Sequence, residues 1–186
     1  APEAQGYELA AARALAERPL VAAALEILDA FARATDLAVA SRLLRSPFLS
    51  GAAGEADARA RLDARIRRTE GPDLGLARLA RLAADHQCPA LARALQASIA
   101  LAQDWPRRAL PSRWSRLWFE LLHAMGWPGT DLDSGEHQAQ QRWAQLIAEF
   151  GACDAYVGAV SAGGAASLLS DMAQGTVFEA GELRAR

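Results

Sequence analysis

The chain contains no lysine; all 20 of its basic residues are arginine. A G-x-x-x-x-G-K-[ST] phosphate loop needs a lysine, so nucleotide binding in the Walker manner is excluded for this segment. Cysteine is nearly absent too. Cys88 and Cys153 are too few for a disulfide scaffold or a four-thiolate cluster, and both read as small buried hydrophobes. No long apolar run exists. The best stretch, Leu20 to Leu28, is broken by Glu26, well short of the roughly 18 residues that argue for a membrane helix. No basic segment followed by an apolar one marks a signal peptide at the start. Val, Ile, Thr and Tyr are scarce, which disfavours an all-β fold or a parallel sheet. The catalytic patterns H-E-x-x-H and G-x-S-x-G do not occur.

What remains is a chain of 186 residues, 52% hydrophobic, with a formal net charge of −2. About 45 residues are alanine. Ala, Leu and Arg are strong helix formers, so the composition predicts an all-α fold. The length suits a single domain, residues 1–186, with a sizeable core. Hydrophobicity at this level also excludes a disordered chain. The near-neutral charge argues against a protein that coats nucleic acid, although it leaves room for a local basic face. The chain starts on Ala-Pro-Glu and stops on Gly-Glu-Leu-Arg-Ala-Arg, which reads as a piece excised from a larger protein.

Periodicity predicts roughly eight helices in an irregular bundle. A weak helix is expected over about residues 7–16. A strong one starts at Pro19, a residue suited to the first helical position, with Leu20, Ala23, Ala24, Ile27, Leu28 and Phe31 on one stripe. Asp36 is the expected N-cap of a short helix that Pro47 ends. The helix over Glu55–Arg68 carries Glu55/Arg59, Asp57/Arg61 and Asp63/Arg67 at i,i+4. That spacing reads as a solvated, self-paired face in preference to a phosphate-facing one. Helices follow at about 74–85 and 89–102. Ser112 is expected to cap a helix with Trp114, Leu117, Trp118, Leu121, Leu122 and Met125 inward. Asp133 or Ser134 is expected to cap the longest helix, Asp133 with Glu136 having capping-box spacing, and its face runs through Trp143, Leu146, Ile147 and Phe150 to Asp154. Ser161 is placed as the cap of a last helix, and Thr176-Val177-Phe178 as the start of a strand.

Metal and acid–base chemistry have little to build on. His86 and Cys88 lack a second ligand pair at zinc spacing. His123 is expected to be half-buried and His137 exposed. Asp131-Leu132-Asp133-Ser134-Gly135 hints at a calcium loop, but Arg142 stands where an EF-hand needs its bidentate Glu. No cofactor or metal is expected in this segment. One stretch is distinctive. From Trp105 to Trp118 there are four arginines (Arg107, Arg108, Arg113 and Arg116), three tryptophans and no acid. Arginine binds phosphates bidentately and tryptophan can stack on bases, so these four arginines with Trp105 are the candidate nucleic-acid contacts. Trp114 and Trp118 fall on the inward stripe. Arg42 and Arg45, beside the Pro47 break, are a second candidate pair.

Several motifs together resemble a family. Ser41-Arg42-Leu43-Leu44-Arg45-Ser46-Pro47-Phe48-Leu49, then Glu55 and the Arg/Ala run to Leu62-Asp63, follow a leading Pro19 to Leu28 helix. Pro111-Ser112-Arg113-Trp114, Gly126-Trp127-Pro128-Gly129, Ser134-x-Glu136-x-Gln138 with Trp143, and Val177-Phe178-Glu179 come after, in that order. The pattern, over about residues 15–180, is similar to the B subunit of AddAB-type helicase–nucleases, and most to the AddB-like group described as probable DNA repair proteins or inactivated superfamily 1 helicases. That group more usually carries Phe-Gln-Pro-Glu at the last motif. The resemblance implies a helical 2B-type insertion domain of a DNA-repair and recombination protein. The motor motifs and a PD-(D/E)XK exonuclease domain would lie elsewhere in the parent. It implies DNA, the other domains of the same chain and a partner helicase subunit as partners, a cytoplasmic location and no membrane. It transfers no catalytic residue to this segment.

Overall fold

The computed structural model describes residues 13–178. Among them helix predominates and strand is confined to two residue pairs, so the expected all-α class holds. The order is β1 (Arg13–Ala14), a 3₁₀ turn (Leu15–Glu17), α1 (Pro19–Ala32), α2 (Leu37–Arg45), α3 (Ala56–Thr69), α4 (Leu76–Asp85), α5 (Pro89–Gln103), α6 (Pro111–Ala124), α7 (Ser134–Gly151), α8 (Asp154–Val157), α9 (Ala162–Gly175) and β2 (Val177–Phe178).

Prolines open three of these helices. Pro19, Pro89 and Pro111 each sit in the first turn, where the missing N–H has no intrahelical partner to lose. Three others are capped by side chains. Asp36 accepts from the Val39 N–H at 2.8 Å, and Ser161 Oγ accepts from the Gly164 N–H at 3.2 Å. Asp133 and Glu136 form the expected reciprocal box at 2.7 and 2.8 Å. These bonds satisfy donors that a helix N-terminus otherwise leaves open.

α1 lies at the centre, packed on α9, α7, α2 and α6. Leu20, Val21, Ala24, Ile27 and Leu28 are fully buried, and each large side chain so placed contributes about 1.5–3 kcal/mol. Arg33 ties α1 to α9 by donating to the Gly163 carbonyl and to Ser167 Oγ. The α6–α7 interface is aromatic. Trp114 stacks on Trp118 and Trp118 on Phe150, with ring centroids 6.1 and 5.3 Å apart. α4 and α5 form a close hairpin through His86, Gln87 and Cys88.

The structure corrects several expectations. Residues 7–12 of the weak first helix lie outside the described residues. Of its remainder, Arg13–Ala14 is a strand antiparallel to Val177–Phe178. The Leu15 N–H donates to the Thr176 carbonyl at 2.8 Å, so long-range pairing overrides helix propensity there. Ser112 is not an N-cap; Pro111 already occupies the first turn, and Ser112 bonds Asp154 instead. Asp154 is not on the long helix, which ends at Gly151, and begins the short α8. Glu55 and Arg59 are not a solvated pair. Both are buried, Arg59 to 3% exposure, because their end of α3 packs under the start of α5. His123 is exposed, since its position on α6 turns away from the tryptophan stripe. Cys153 is only half-buried, whereas Cys88 is fully buried.

Candidate nucleic-acid interface

Trp105 and the four arginines that follow it occupy the α5–α6 loop and the first two turns of α6. An antiparallel bridge holds the loop: the Ala109 N–H donates to the Val160 carbonyl and the Val160 N–H to the Ala109 carbonyl, each at 2.9 Å. Trp114 Nε1 donates to the same Val160 carbonyl at 3.0 Å. Trp105 is half-buried, its ring edge-on to Trp114 with centroids 5.6 Å apart. Its ring is thereby packed on the core side, while Trp114 and Trp118 are fully buried as the stripe predicts.

The arginines differ in their engagement. Arg107, Arg108, Arg113 and Arg116 are all exposed. Arg108 donates to the Ala159 carbonyl at 2.6 Å, which ties the loop to the segment before α9. Arg107, Arg113 and Arg116 make no ion pair with any described carboxylate. Arg116 contributes to holding the Asp154 carboxyl below its usual range, behind the larger effect of the Ser112 N–H and hydroxyl. Arg113 and Arg116 are one turn apart on the outer side of α6, and Phe119 follows at 73% exposure. Three free guanidinium groups and an exposed aromatic ring make a surface suited to phosphate contact and stacking.

The second pair is committed elsewhere. Arg42 Nε pairs with Glu26 on α1. Arg45 lies 3.8 Å from Asp63 and donates to the Ser41 carbonyl. Asp63 also accepts from Arg67 and from the Ser41 hydroxyl, so α2 and α3 share one polar network.

Sequence reasoning weighs a phosphate-facing α3 and sets it aside, without singling out the arginines that stay unpaired. Arg61, Arg65 and Arg68 on α3 are exposed and line one cleft. The i,i+4 pattern suggests Asp57 as a partner for Arg61, but no such ion pair forms. The i,i+4,i+7 spacing of the three is the available signal.

No described cleft gathers catalytic groups. One of about 860 Å³ runs between the Ser50–Gly54 loop and Gly126–Leu132, lined chiefly by Ala, Gly, Pro and Leu. Its Glu136 serves in the capping box, and its Arg59 is held by Glu55 and the Ser50 carbonyl. Among the described residues no group of three His, Cys, Asp or Glu could hold a metal ion. No described helix is long and apolar enough to cross a membrane. Burial pushes the Cys88 thiol pKa up, which disfavours the reactive thiolate. Comparison with known proteins finds no family model, no curated protein and no solved structure that matches this chain.

Proposed function

We propose that this chain is a non-catalytic helical accessory domain, 2B-like, of a DNA-repair helicase–nuclease-like protein. Its role in that reading is to hold or steer duplex or single-stranded DNA, while motor and nuclease chemistry reside in other parts of the parent. The observation that carries it is the unpaired state of Arg107, Arg113 and Arg116 beside the exposed Phe119. Arg42, Arg59, Arg78 and Arg142 each pair with their own acid, and Arg45 and Arg67 share Asp63, so a near-zero net charge coexists with a local basic surface. Such a surface binds phosphates electrostatically, with an affinity that falls as salt rises. The resemblance of the motif order to the AddB-like group is what supports this choice of parent, with a cytoplasmic location and a partner helicase subunit.

Titration of fluorescent DNA with the 186-residue chain at low salt and again at about 200 mM tests the contact. Binding at low salt that weakens with salt, and weakens further in R107E/R113E/R116E, is expected. No binding at low salt would overturn it. The parent assignment is tested by the uncut reading frame. A degenerate phosphate loop upstream and a nuclease motif downstream are expected, and unrelated flanks would remove the assignment.

A second reading, a scaffold that only packs against other domains or a partner subunit, is favoured by two observations. Arg42 and Arg45 are already paired. Leu110, Phe119 and Tyr156, the last at 94% exposure, stand out from the surface. DNA binding that is absent while a parent domain still docks would select this reading.

A further inference from the structure

We propose that the cleft between α3 and the α4–α5 turn is a separate phosphodiester-binding groove, in which Arg61, Arg65 and Arg68 grip the backbone of a nucleic-acid strand. The groove presupposes a domain that engages DNA, and adds to it a site remote in sequence from the α5–α6 loop.

The three arginines sit at i, i+4 and i+7. At 3.6 residues per turn they fall within about 60° of one another around the helix and span about 10 Å along it. They line one cleft of about 580 Å³ with Ala58, Leu62, Asp85, His86 and Gln87. The acids that could neutralise the stripe are mostly taken. Glu55 is bound by Arg59, Asp63 by Arg67, and Glu70 by Arg78 at 3.0 Å. Asp57 on α3 pairs with no arginine, and Asp85 is the single acid lining the cleft, against three cations. α3 therefore sorts its charge by face: paired arginines toward α2 and α5, unpaired ones toward the cleft. Gln87, with φ of 63°, turns the chain at the far wall and leaves its side chain exposed beside the half-buried His86.

A linear polyanion fits this layout better than a compact anion does. Three guanidinium groups spread over about 10 Å match about three phosphate steps at the roughly 3.4 Å per-strand rise of duplex DNA. Arginine also presents a planar fork that bonds phosphate oxygens in pairs. No Phe, Tyr or Trp lines the cleft, and its one imidazole, that of His86, is half-buried, so it offers no broad stacking platform. It would read backbone and not bases, in contrast to the α6 surface with Phe119.

The test is anisotropy of a labelled duplex and of oligothymidylate with the full 186-residue chain, from about 50 to about 200 mM salt. Two variants are compared, R61Q/R65Q/R68Q and R107Q/R113Q/R116Q, each checked for native circular dichroism. All six positions are exposed, so both variants should fold. The α3 variant is expected to flatten the log–log salt slope by about one for each arginine that no longer touches a phosphate, equally for different base sequences. Restoring the charge with R61K/R65K/R68K should restore the slope. An α3 variant indistinguishable from the wild type, while the α6 variant binds more weakly, would overturn this groove and leave the DNA reading standing. A wild-type chain that binds neither probe would overturn both. Polyglutamate displacing the DNA at equal charge would overturn the assignment to phosphodiester.

Discussion

Asp154 caps a helix 42 residues before it. Its Oδ1 accepts from the Ser112 N–H at 2.9 Å and its Oδ2 from the Ser112 hydroxyl at 2.7 Å. The short α8 thus supplies the cap that α6 lacks in its own sequence, and the α6 start, where Arg113 and Arg116 emerge, is held through it. The two bonds keep the Asp154 carboxyl below its ordinary range, the backbone N–H having the larger effect. In the unfolded chain the carboxyl returns to about 3.9. The stabilisation is therefore complete above about pH 4 and is lost as pH falls through the lower folded-state value. Replacing Asp154 with Asn should lower the melting temperature at neutral pH. The gap between the two proteins should close on acidification below pH about 4. A gap that stays constant across that range would show that the charge is not involved.

Glu55 joins three elements, and its loss should be far more damaging than its exposed-looking sequence context suggests. Its carboxylate accepts from the Leu91 N–H at 3.2 Å and also from the Ala90 N–H at the start of α5. It pairs with Arg59 at 2.9 Å, and Arg59 in turn donates to the Ser50 carbonyl. With both side chains buried, Glu55→Gln leaves a guanidinium uncompensated, a change that costs about 3–5 kcal/mol. Urea unfolding of E55Q, R59M and the double variant checks this. The double variant should be less destabilised than the sum of the singles, because the pair acts as one unit.

The contrast between these two sites and the rest of the fold shows what the sequence makes legible. Local signals suffice wherever the partner is a few residues away: Pro19 with its apolar stripe, Asp36 and Val39, Asp133 and Glu136, Ser161 and Gly164. They are insufficient wherever the partner is distant. Ser112 is a good cap residue by type, but Pro111 precedes it and its acceptor lies on α8. The pattern of Glu55 and Arg59 is the same whether their face meets water or α5. Arg13–Ala14 reads as helix until Val177–Phe178 arrives from the other end of the chain. Arg42 and Arg45 look as free as Arg107 in sequence, since Glu26 and Asp63 belong to neighbouring helices. The α3 stripe fails to stand out for the opposite reason: Asp57 sits at pairing distance in sequence and does not pair in space.

Trp114 and Trp118 provide a matched pair for hydrogen-bond energetics in one core. Both indoles are fully buried and stacked on each other. Trp114 Nε1 donates to the Val160 carbonyl at 3.0 Å, whereas Trp118 Nε1 is buried with no partner. Replacement by Phe removes similar volume from each. Only at Trp114 does it also remove a hydrogen bond, one that anchors the bridge below the Arg107–Arg108 loop. W114F should therefore be less stable than W118F by about 1 kcal/mol, measured by denaturant midpoint at an unchanged slope. Equal midpoints would mean that the Val160 bond contributes nothing net.

Gly126 and Gly54 should respond in opposite ways to the same methyl group. Gly126 closes the α6 end with φ of +79°, and its Met125 neighbour accepts the Ser50 N–H at 2.9 Å. A Cβ at Gly126 would lie 2.7 Å from the Ser50 nitrogen and 2.8 Å from its Cα. Neither backbone atom can swing aside without breaking that bond. The left-handed conformation alone costs an L-residue about 1–2 kcal/mol, and the collision adds to it. At Gly54 a Cβ meets nothing within 4 Å and φ carries no such penalty. Alanine there restricts the unfolded chain and should be stabilising by about 0.4–1 kcal/mol. Thermal melts of G126A and G54A should thus move in opposite directions. A small shift for G126A would mean that the Ser50–Met125 bond joining the α2–α3 loop to α6 yields easily, and that the loop does not depend on it.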